Sequence, residues 1–413
     1  MRGRLSKFRA LFGAFALSLV VGACSQSSGP GPWPGTVPND SQTASSSGSE
    51  TSGQSRALAI DPSQPVTLAL LVPRTAQSDG AAALGGALAN AAQLGVSELR
   101  DPQLRLRVYD TAGQPATAAV AARKALADGA DIVLGPLFSG STKAVADVVL
   151  PEGIPVISFS TDTAVAGVGV YVSGYAPEAE ARRILDYAGA QGRRFVGIFR
   201  PLTPYGEAAD RGVRAASASG RIEVVAAGAY ERSFKGIETA SAPFAADASS
   251  AGANAVLLPS GGKELQAVSS FLNYHRLDPA RTKYLGLGQW NSRASFQEVS
   301  LLGGWFPAPD PDAVRRFSSL YSARFGGQPP VLASLGYNAV RIAGELLAEA
   351  RQTGRADLFD HAAVTRPAGF RGAFGPVRFR DDGVAEHGLA ILEVGQRTFV
   401  VRDPAPRGYG AGS

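Results

Sequence analysis

The run Val66-Thr-Leu-Ala-Leu-Leu-Val72 decides the fold class, because its seven residues include a single polar side chain. A continuous apolar run of this length is typical of a strand that is buried on both faces. An Ala-rich amphipathic stretch at 80–97 predicts a helix, and 104–110 predicts a second strand. The alternation continues with predicted helices at 116–128 and 141–149 and predicted strands at 131–135 and 155–159. This order predicts an α/β fold with helices on both faces of a parallel sheet.

The alternation breaks at 161–177 and then restarts, which predicts a second lobe with its own sheet and a cleft between the lobes. We expect the later helices, at 312–325 and 332–350, to return to the first lobe and the last strands to complete the second. The expected fold is a two-lobed α/β structure in which each lobe is a mainly parallel sheet flanked by helices. The predicted bounds are 65–174 plus 307–372 for the first lobe, 175–306 plus 373–403 for the second, and 404–413 for a flexible tail.

The composition excludes several classes of protein. Of 413 residues, 45% are hydrophobic and 18% are charged, which indicates a globular chain rather than a disordered or coiled-coil one. The formal net charge is +5, but four positive charges precede residue 24 in a stretch without any acidic residue, namely Arg2, Arg4, Lys7 and Arg9. The rest of the chain is nearly neutral and lacks the broad basic field that nucleic-acid binding needs.

Residues 1–23 have the order of a secretory signal peptide, with basic residues first, then the apolar run 11–21, then Val-Gly-Ala. That tripeptide with Cys24 resembles the bacterial lipobox, which implies that Cys24 is lipidated. The alternative is an ordinary signal peptide and a chance cysteine. Because Cys24 is the only cysteine, its acylation would leave no thiol for a disulfide, a nucleophile or a metal site.

The residues after the cysteine indicate where the protein would be anchored. Ser25 resembles the signal that sends Gram-negative lipoproteins to the periplasmic face of the outer membrane. Residues 24–64 are rich in Ser, Gly and Pro, and the stretch 25–56 has almost no aliphatic side chains, so we expect a flexible linker.

Six short motifs in register resemble the type I periplasmic binding proteins of the leucine-binding group. The resemblance covers roughly residues 65–402 and implies that fold. Three of the motifs are especially similar to the carboxy-terminal module of lipoprotein activators of penicillin-binding proteins, although the helical-repeat module of those activators has no counterpart here. The motifs include Thr67-Leu-Ala-Leu-Leu-Val-Pro73, Val108-Tyr-Asp-Thr-Ala-Gly-Gln-Pro115, Val133-Leu-Gly-Pro-Leu137, Gly153-Ile-Pro-Val-Ile-Ser158 and Tyr175-Ala-Pro-Glu-Ala-Glu-Ala-Arg182.

Polar residues follow the predicted strands of both lobes. Ligands of parallel α/β sheets bind beyond the carboxyl ends of the strands, so we expect Ser139 and Ser141 to face the cleft. By resemblance to amino-acid receptors of this fold, Ser139, Ser160 and Thr161 correspond to a carboxylate clamp, and Tyr205 lines the opposite wall. The alternative is that these hydroxyl groups only cap helices.

The second lobe lacks one group that the resemblance implies. Leucine-type receptors pair the ligand's ammonium group with an acidic residue near Gly286, and the stretch Gly286-Leu-Gly-Gln-Trp290 has none. Gln289 could accept one hydrogen bond, but a cation buried against a neutral amide is unfavourable. Asp162 or Glu207 could substitute.

The sequence contains no convincing catalytic or metal-binding motif. Ser260-Gly-Gly-Lys263 has the Ser-x-x-Lys spacing of penicillin-binding enzymes, but the companion motifs are absent. His275, His361 and His387 lack metal-ligand spacing. We therefore expect a protein that is not an enzyme and needs no cofactor or metal.

Two functions fit these observations. The first is a lipid-anchored activator that docks on a bifunctional penicillin-binding protein in peptidoglycan synthesis and favours its active conformation. The second is the substrate-binding receptor of an ABC importer for an amino acid or another small polar metabolite. An enzyme would require an unrecognised pair of cleft carboxylates with perturbed pKa values.

Overall fold

The computed structural model describes residues 59–410 and contains a five-stranded parallel sheet in the first lobe. Its strands lie in the order β2-β1-β3-β4-β5. They are β1 (Val66–Val72), β2 (Leu104–Asp110), β3 (Ile132–Leu134), β4 (Val156–Ser158) and β5 (Val170–Val172). The signal peptide, Cys24, Ser25 and nearly all of the predicted linker lie outside the described residues.

Helices cover both faces of this sheet, as the continuous apolar run of β1 predicts. Leu68 and Leu70 pack into the core formed with α1 (Asp79–Leu99) and α9 (Ser334–Thr353). Ala69 and Leu71 point the other way, because successive strand residues alternate between faces, and they pack against α2 (Pro115–Ala127) and α3 (Ser139–Val149). Every residue of β1 is buried.

The second lobe contains a seven-stranded sheet in the order β15-β14-β10-β9-β8-β6-β7. Five of its strands are mutually parallel, and β14 and β15 form an antiparallel edge. One face is covered by α4 and α5 and the other by α6 and α7. The strands are β6 (Phe195–Pro201), β7 (Glu223–Tyr230), β8 (Ala255–Leu257), β9 (Lys283–Leu285), β10 (Trp305–Ala308), β14 (Ala390–Val394) and β15 (Phe399–Asp403), and the helices are α4 (Pro177–Ala190), α5 (Pro204–Ala218), α6 (Phe234–Ser250) and α7 (Gly262–Tyr274). The predicted fold class, a two-lobed α/β structure with parallel sheets flanked by helices, is confirmed.

A third, antiparallel sheet departs from the predicted lobe bounds, which assigned all of 373–403 to the second lobe. It consists of β11 (Phe370–Arg371), β12 (Pro376–Phe379) and β13 (Ala385–His387). Val377 and Phe379 are buried in the same core as α1 and α9, and Val384 bridges to Val172 at the edge of the first sheet. This small sheet therefore packs on the first lobe because its apolar side chains complete that core, and only β14 and β15 join the second sheet.

The ends of the described chain are also attached to the body. Ile60, within the predicted linker, is buried in the first-lobe core, and its N–H donates to the Ala356 carbonyl at 2.7 Å. In the predicted flexible tail, the Tyr409 hydroxyl donates to the Glu386 carbonyl at 2.7 Å. The predicted flexibility of residues 24–64 and 404–413 stays a prediction. The remaining predicted lobe bounds stay a prediction.

Two further helices belong to the first lobe. The helix α8 (Pro311–Phe325) packs through Phe317 against α1, and the short α10 (His361–Val364) contributes Val364 to the core. Across residues 59–410, none of the helices combines the length and the hydropathy that crossing a bilayer requires.

Candidate functional site

The loops after β3 and β4 meet at the carboxyl edge of the first sheet, because the two strands are hydrogen-bonded neighbours. Ser139 is half-buried and begins α3, and no side chain caps that helix. Thr161 is exposed at the end of the adjacent loop. The structure therefore brings these two predicted residues to one edge, where the N–H groups of the first turn of α3 are free of side-chain caps.

Ser160 and its neighbours form a buried hydroxyl network behind this edge. The Ser160 Oγ accepts a hydrogen bond from the Asp162 N–H at 3.0 Å, and the Ser160 N–H donates to the Ser158 Oγ at 3.1 Å. The Ser158 and Thr142 hydroxyl oxygens lie 2.7 Å apart. These bonds fix the loop that carries Thr161. Ser160 therefore positions the loop, and it does not cap a helix as the alternative interpretation expected, because Asp162 caps the 3-10 turn that follows.

Ser141 lies on the core face of α3. It is 1% exposed, and its hydroxyl group has no hydrogen-bond partner. Val145 and Val149 follow it at intervals of four residues, and both belong to the core between α2, α3 and the sheet. The expectation that Ser141 faces the cleft does not fit this placement, because the helical period turns it toward the core instead.

The opposite edge is formed by the loops after β6 and β9 of the second sheet. Tyr205 is half-buried in the first turn of α5, where the Thr203 hydroxyl caps the helix by accepting from the Gly206 N–H at 3.2 Å. Burial raises the pKa of Tyr205 well above its ordinary value, with Glu180 adding to the effect. Gln289 is exposed in the loop after β9. The two residues lie at the carboxyl edge that α/β folds use for ligands.

A buried carboxylate that the sequence analysis missed lies beneath this edge. Glu180, in the first turn of α4, is 6% exposed, and its Oε2 accepts a hydrogen bond from the Gly288 N–H at 3.0 Å. Burial raises the pKa of Glu180 from 4.5 to about 8. No cation pairs with it among residues 59–410. Glu180 thus supplies, from another element, an acidic group in contact with the segment that lacks one.

The suggested substitutes for that acidic group lie elsewhere. Asp162 is exposed and caps a short 3-10 turn by accepting from the Ala164 N–H at 3.1 Å. Glu207 is exposed in the first turn of α5. The sequence did indicate that Glu180 would be buried, since the apolar residues Ala181, Ile184 and Ala188 share its helix face.

The remaining motifs do not assemble into a reactive centre. Lys263 is exposed while Ser260 is buried, and the Ser260 hydroxyl group has no hydrogen-bond partner among the described residues. His387 is stacked on Tyr175 with ring centroids 4.3 Å apart, and its Nε2 donates to the Ser173 carbonyl at 2.9 Å. Burial lowers the pKa of His387 to about 4. Within the described part of the chain, no three His, Cys, Asp or Glu side chains are grouped in a way that could hold a metal ion.

Comparison with known proteins gives the same architecture. The family model described as "Periplasmic binding protein" matches residues 65–398. No curated protein matches the sequence.

Three solved structures illustrate the similarity. A protein assigned as a branched-chain amino acid ABC transporter from Rhodospirillum rubrum is 18% identical, with a TM-score of 0.70 over 82% of this chain and 99% of that one. An ABC transporter substrate-binding protein from Sphaerobacter thermophilus is 18% identical, with a TM-score of 0.64 over 83% and 98%. A solute binding protein of an ABC transporter from Rhodopseudomonas palustris, in complex with 3,4-dihydroxy benzoic acid, is 18% identical, with a TM-score of 0.56 over 84% and 98%. At this identity the likeness concerns the fold.

Proposed function

Because this chain belongs to the periplasmic binding protein family, we propose that it is the substrate-binding receptor of an ABC importer. One observation carries the proposal: polar residues line the carboxyl edges of both sheets, with Ser139 and Thr161 in one lobe and Tyr205 and Gln289 in the other. Ligands of α/β sheets bind at such edges. The similar structures include ABC transporter substrate-binding proteins, which supports the same reading.

The first-lobe edge favours a ligand with a carboxylate group. No side chain caps α3, so the N–H groups of its first turn can bind an anion, and the hydroxyl groups of Ser139 and Thr161 add two donors. Gln289 on the other edge offers a neutral amide. We therefore propose a small polar metabolite that carries a carboxylate, with amino acids as the first compounds to test.

The test is a ligand screen on the purified protein. Binding should raise its melting temperature, because a ligand that binds only the folded state stabilises it. Thr161→Val keeps the shape of the side chain and removes its hydroxyl group, which should weaken binding several-fold, since one hydrogen bond contributes about 0.5–1.5 kcal/mol. Thr398→Val, an exposed threonine in the β14–β15 turn, is the matched control and should bind like the wild type.

A second function, activation of a bifunctional penicillin-binding protein, has one specific observation in its favour. The stretch Tyr175 to Arg182 resembles the activator lipoproteins and forms the crossing into α4. A lipidated Cys24 followed by Ser25 would also place the protein at the outer membrane, away from an importer of the cytoplasmic membrane. As an activator, the protein would act by binding the active conformation of the penicillin-binding protein more tightly than the resting one.

Affinity capture from detergent-solubilised envelopes distinguishes the two functions. Recovery of a transporter permease, together with a metabolite that raises the melting temperature, supports the receptor. Recovery of a bifunctional penicillin-binding protein, with faster peptidoglycan cross-linking when the purified protein is added, supports the activator and contradicts the receptor.

A further inference from the structure

A cavity of about 330 Å³ lies where the chain passes between the lobes. We call it the hinge cavity. Its lining includes Tyr175 before α4, His387 and Leu389 between the small sheet and β14, Glu180 of α4 and Tyr409 of the tail. None of the residues predicted for the cleft lines it. Its volume is in the range of cavities that hold small organic ligands.

The aromatic wall of the hinge cavity carries no charge at neutral pH. The Tyr175 and His387 rings stack at an interplanar angle of 28°. Burial lowers the pKa of His387 to about 4, and its Nε2–H is held by the Ser173 carbonyl. Tyr409 is held by the Glu386 carbonyl, and the Arg378 guanidinium lies 4.3 Å from the centre of its ring. The wall thus presents fixed aromatic surface next to Glu180.

The charged side chains around the cavity are paired with one another, and Glu180 is the exception. Arg183 pairs with Asp403 at 2.5 Å, and Arg221 pairs with Asp186 at 2.5 Å. Arg378 pairs with Glu386 at 2.6 Å, and Arg182 lies 3.8 Å from the same carboxylate. Glu180 accepts only the Gly288 N–H. Burial without a paired cation raises the pKa of Glu180 to about 8, so near pH 7 the side chain is a neutral acid. A neutral amine can take up that proton, and the resulting ammonium–carboxylate pair then has its two charges together.

We propose that the hinge cavity binds a small organic cation, a primary amine on an apolar body, with the ammonium group at Glu180 and the body against the Tyr175–His387 pair. The ammonium would form charge-assisted hydrogen bonds with the carboxylate, and the aromatic faces suit both a cation and an apolar group. The site shares no lining residue with those predicted for the cleft, although Glu180 also bonds to Gly288 at the cleft edge. It does not depend on which proposed function is correct.

The position of the cavity gives the bound amine a second effect. Tyr175 and His387 belong to two of the segments that connect the lobes, so the ligand contacts the hinge itself. If the cavity differs in shape between open and closed arrangements, the amine shifts their populations by its difference in affinity for them.

The experiment measures binding of phenethylamine to the full-length protein by calorimetry, with 2-phenylethanol as the uncharged analogue. We expect millimolar or tighter binding of the amine and at least tenfold weaker binding of the alcohol. Glu180→Gln should weaken amine binding by at least tenfold, while Glu178→Gln, on the same helix turn, should bind like the wild type. Ala179→Leu, which fills the cavity without changing a charge, should also reduce binding.

Three results would overturn the proposal. They are the absence of amine binding to the wild type, equal binding of the amine and the alcohol, and amine binding that survives both Glu180→Gln and Ala179→Leu. Amine binding that Thr161→Val removes and Glu180→Gln leaves intact would locate the amine in the cleft instead, which also overturns it.

Discussion

Replacing Glu180 by Gln should stabilise the protein, and the gain should grow with pH. Burial raises the pKa of this carboxyl group from 4.5 to about 8, so the folded protein keeps the proton over a range in which the unfolded chain has lost it. Each unit of pKa difference corresponds to about 1.4 kcal/mol, which gives a maximum near 5 kcal/mol. Glutamine has the shape of the protonated side chain, and its amide oxygen can accept the Gly288 N–H.

The direction in which wild-type stability changes with pH follows from the raised pKa of Glu180. Below pH 4.5 both states bind the proton, and the wild type has the full contribution of the neutral carboxyl group. Between pH 4.5 and about 8 the unfolded state releases the proton first, so wild-type stability falls as pH rises, by about 1.4 kcal/mol per unit from this group. Burial raises the pKa values of the nearby Tyr175 and Tyr205 and lowers the pKa of His387 to about 4, so none of these three neighbours of Glu180 changes charge between about pH 5 and pH 8.

The assay is urea unfolding of both proteins, followed by tryptophan fluorescence, at several values from about pH 5 to pH 8. The quantity of interest is the difference in unfolding free energy between Glu180→Gln and the wild type. Glu223→Gln, at an exposed strand position, is the control and should show a difference close to zero throughout. A difference for Glu180→Gln that stays constant or falls as pH rises would refute the reasoning.

Three further changes test other parts of the structure. Gly85→Ala should destabilise the protein by about 1–3 kcal/mol, because the new Cβ would lie 2.7 Å from the Pro73 carbonyl group after β1. Gly86→Ala meets no atom within 4 Å and should stabilise the protein by up to about 1 kcal/mol. Thermal melting of the two variants measures this difference. Ser141→Ala should be neutral or stabilising in urea unfolding, because it removes an unpaired buried hydroxyl group. Ser173→Ala should lower the free energy of unfolding by about 1 kcal/mol, because it removes a 2.7 Å hydrogen bond to the Ser158 carbonyl. Equal losses in the two variants would contradict both assignments. Cys24→Ala should release the protein from the membrane fraction, and unchanged fractionation would contradict the lipid anchor.

The parallel sheets were predictable because their signal is local. The β1 run is apolar at nearly every position, and burial on both faces is what such a run requires. The small antiparallel sheet was placed in the wrong lobe, since Val377 and Phe379 look the same in sequence whichever core they complete. The choice between the two cores depends on tertiary packing.

The site residues also divide into those that local sequence was enough to place and those that it was not. Position after a strand was enough to bring Ser139, Thr161, Tyr205 and Gln289 to the edges of the sheets. It was not enough for Ser141, where the helical period, which could have been read from the valines that follow it, decides the direction of the side chain. Glu180 was missed because an acidic residue in a first helical turn is ordinarily exposed and interacts with the helix dipole.

The route of the chain through the first lobe has a consequence for biosynthesis. The sheet forms from residues 66–172, but α9, which covers Leu68 and Leu70, is made only at 334–353. A nascent chain must therefore carry an apolar sheet face that α1 covers only in part while the whole of the second lobe up to β10 is being synthesised, and contacts so distant in sequence form slowly. During that interval the chain is a substrate for chaperones, and a translation product that stops before residue 334 is expected to aggregate rather than fold.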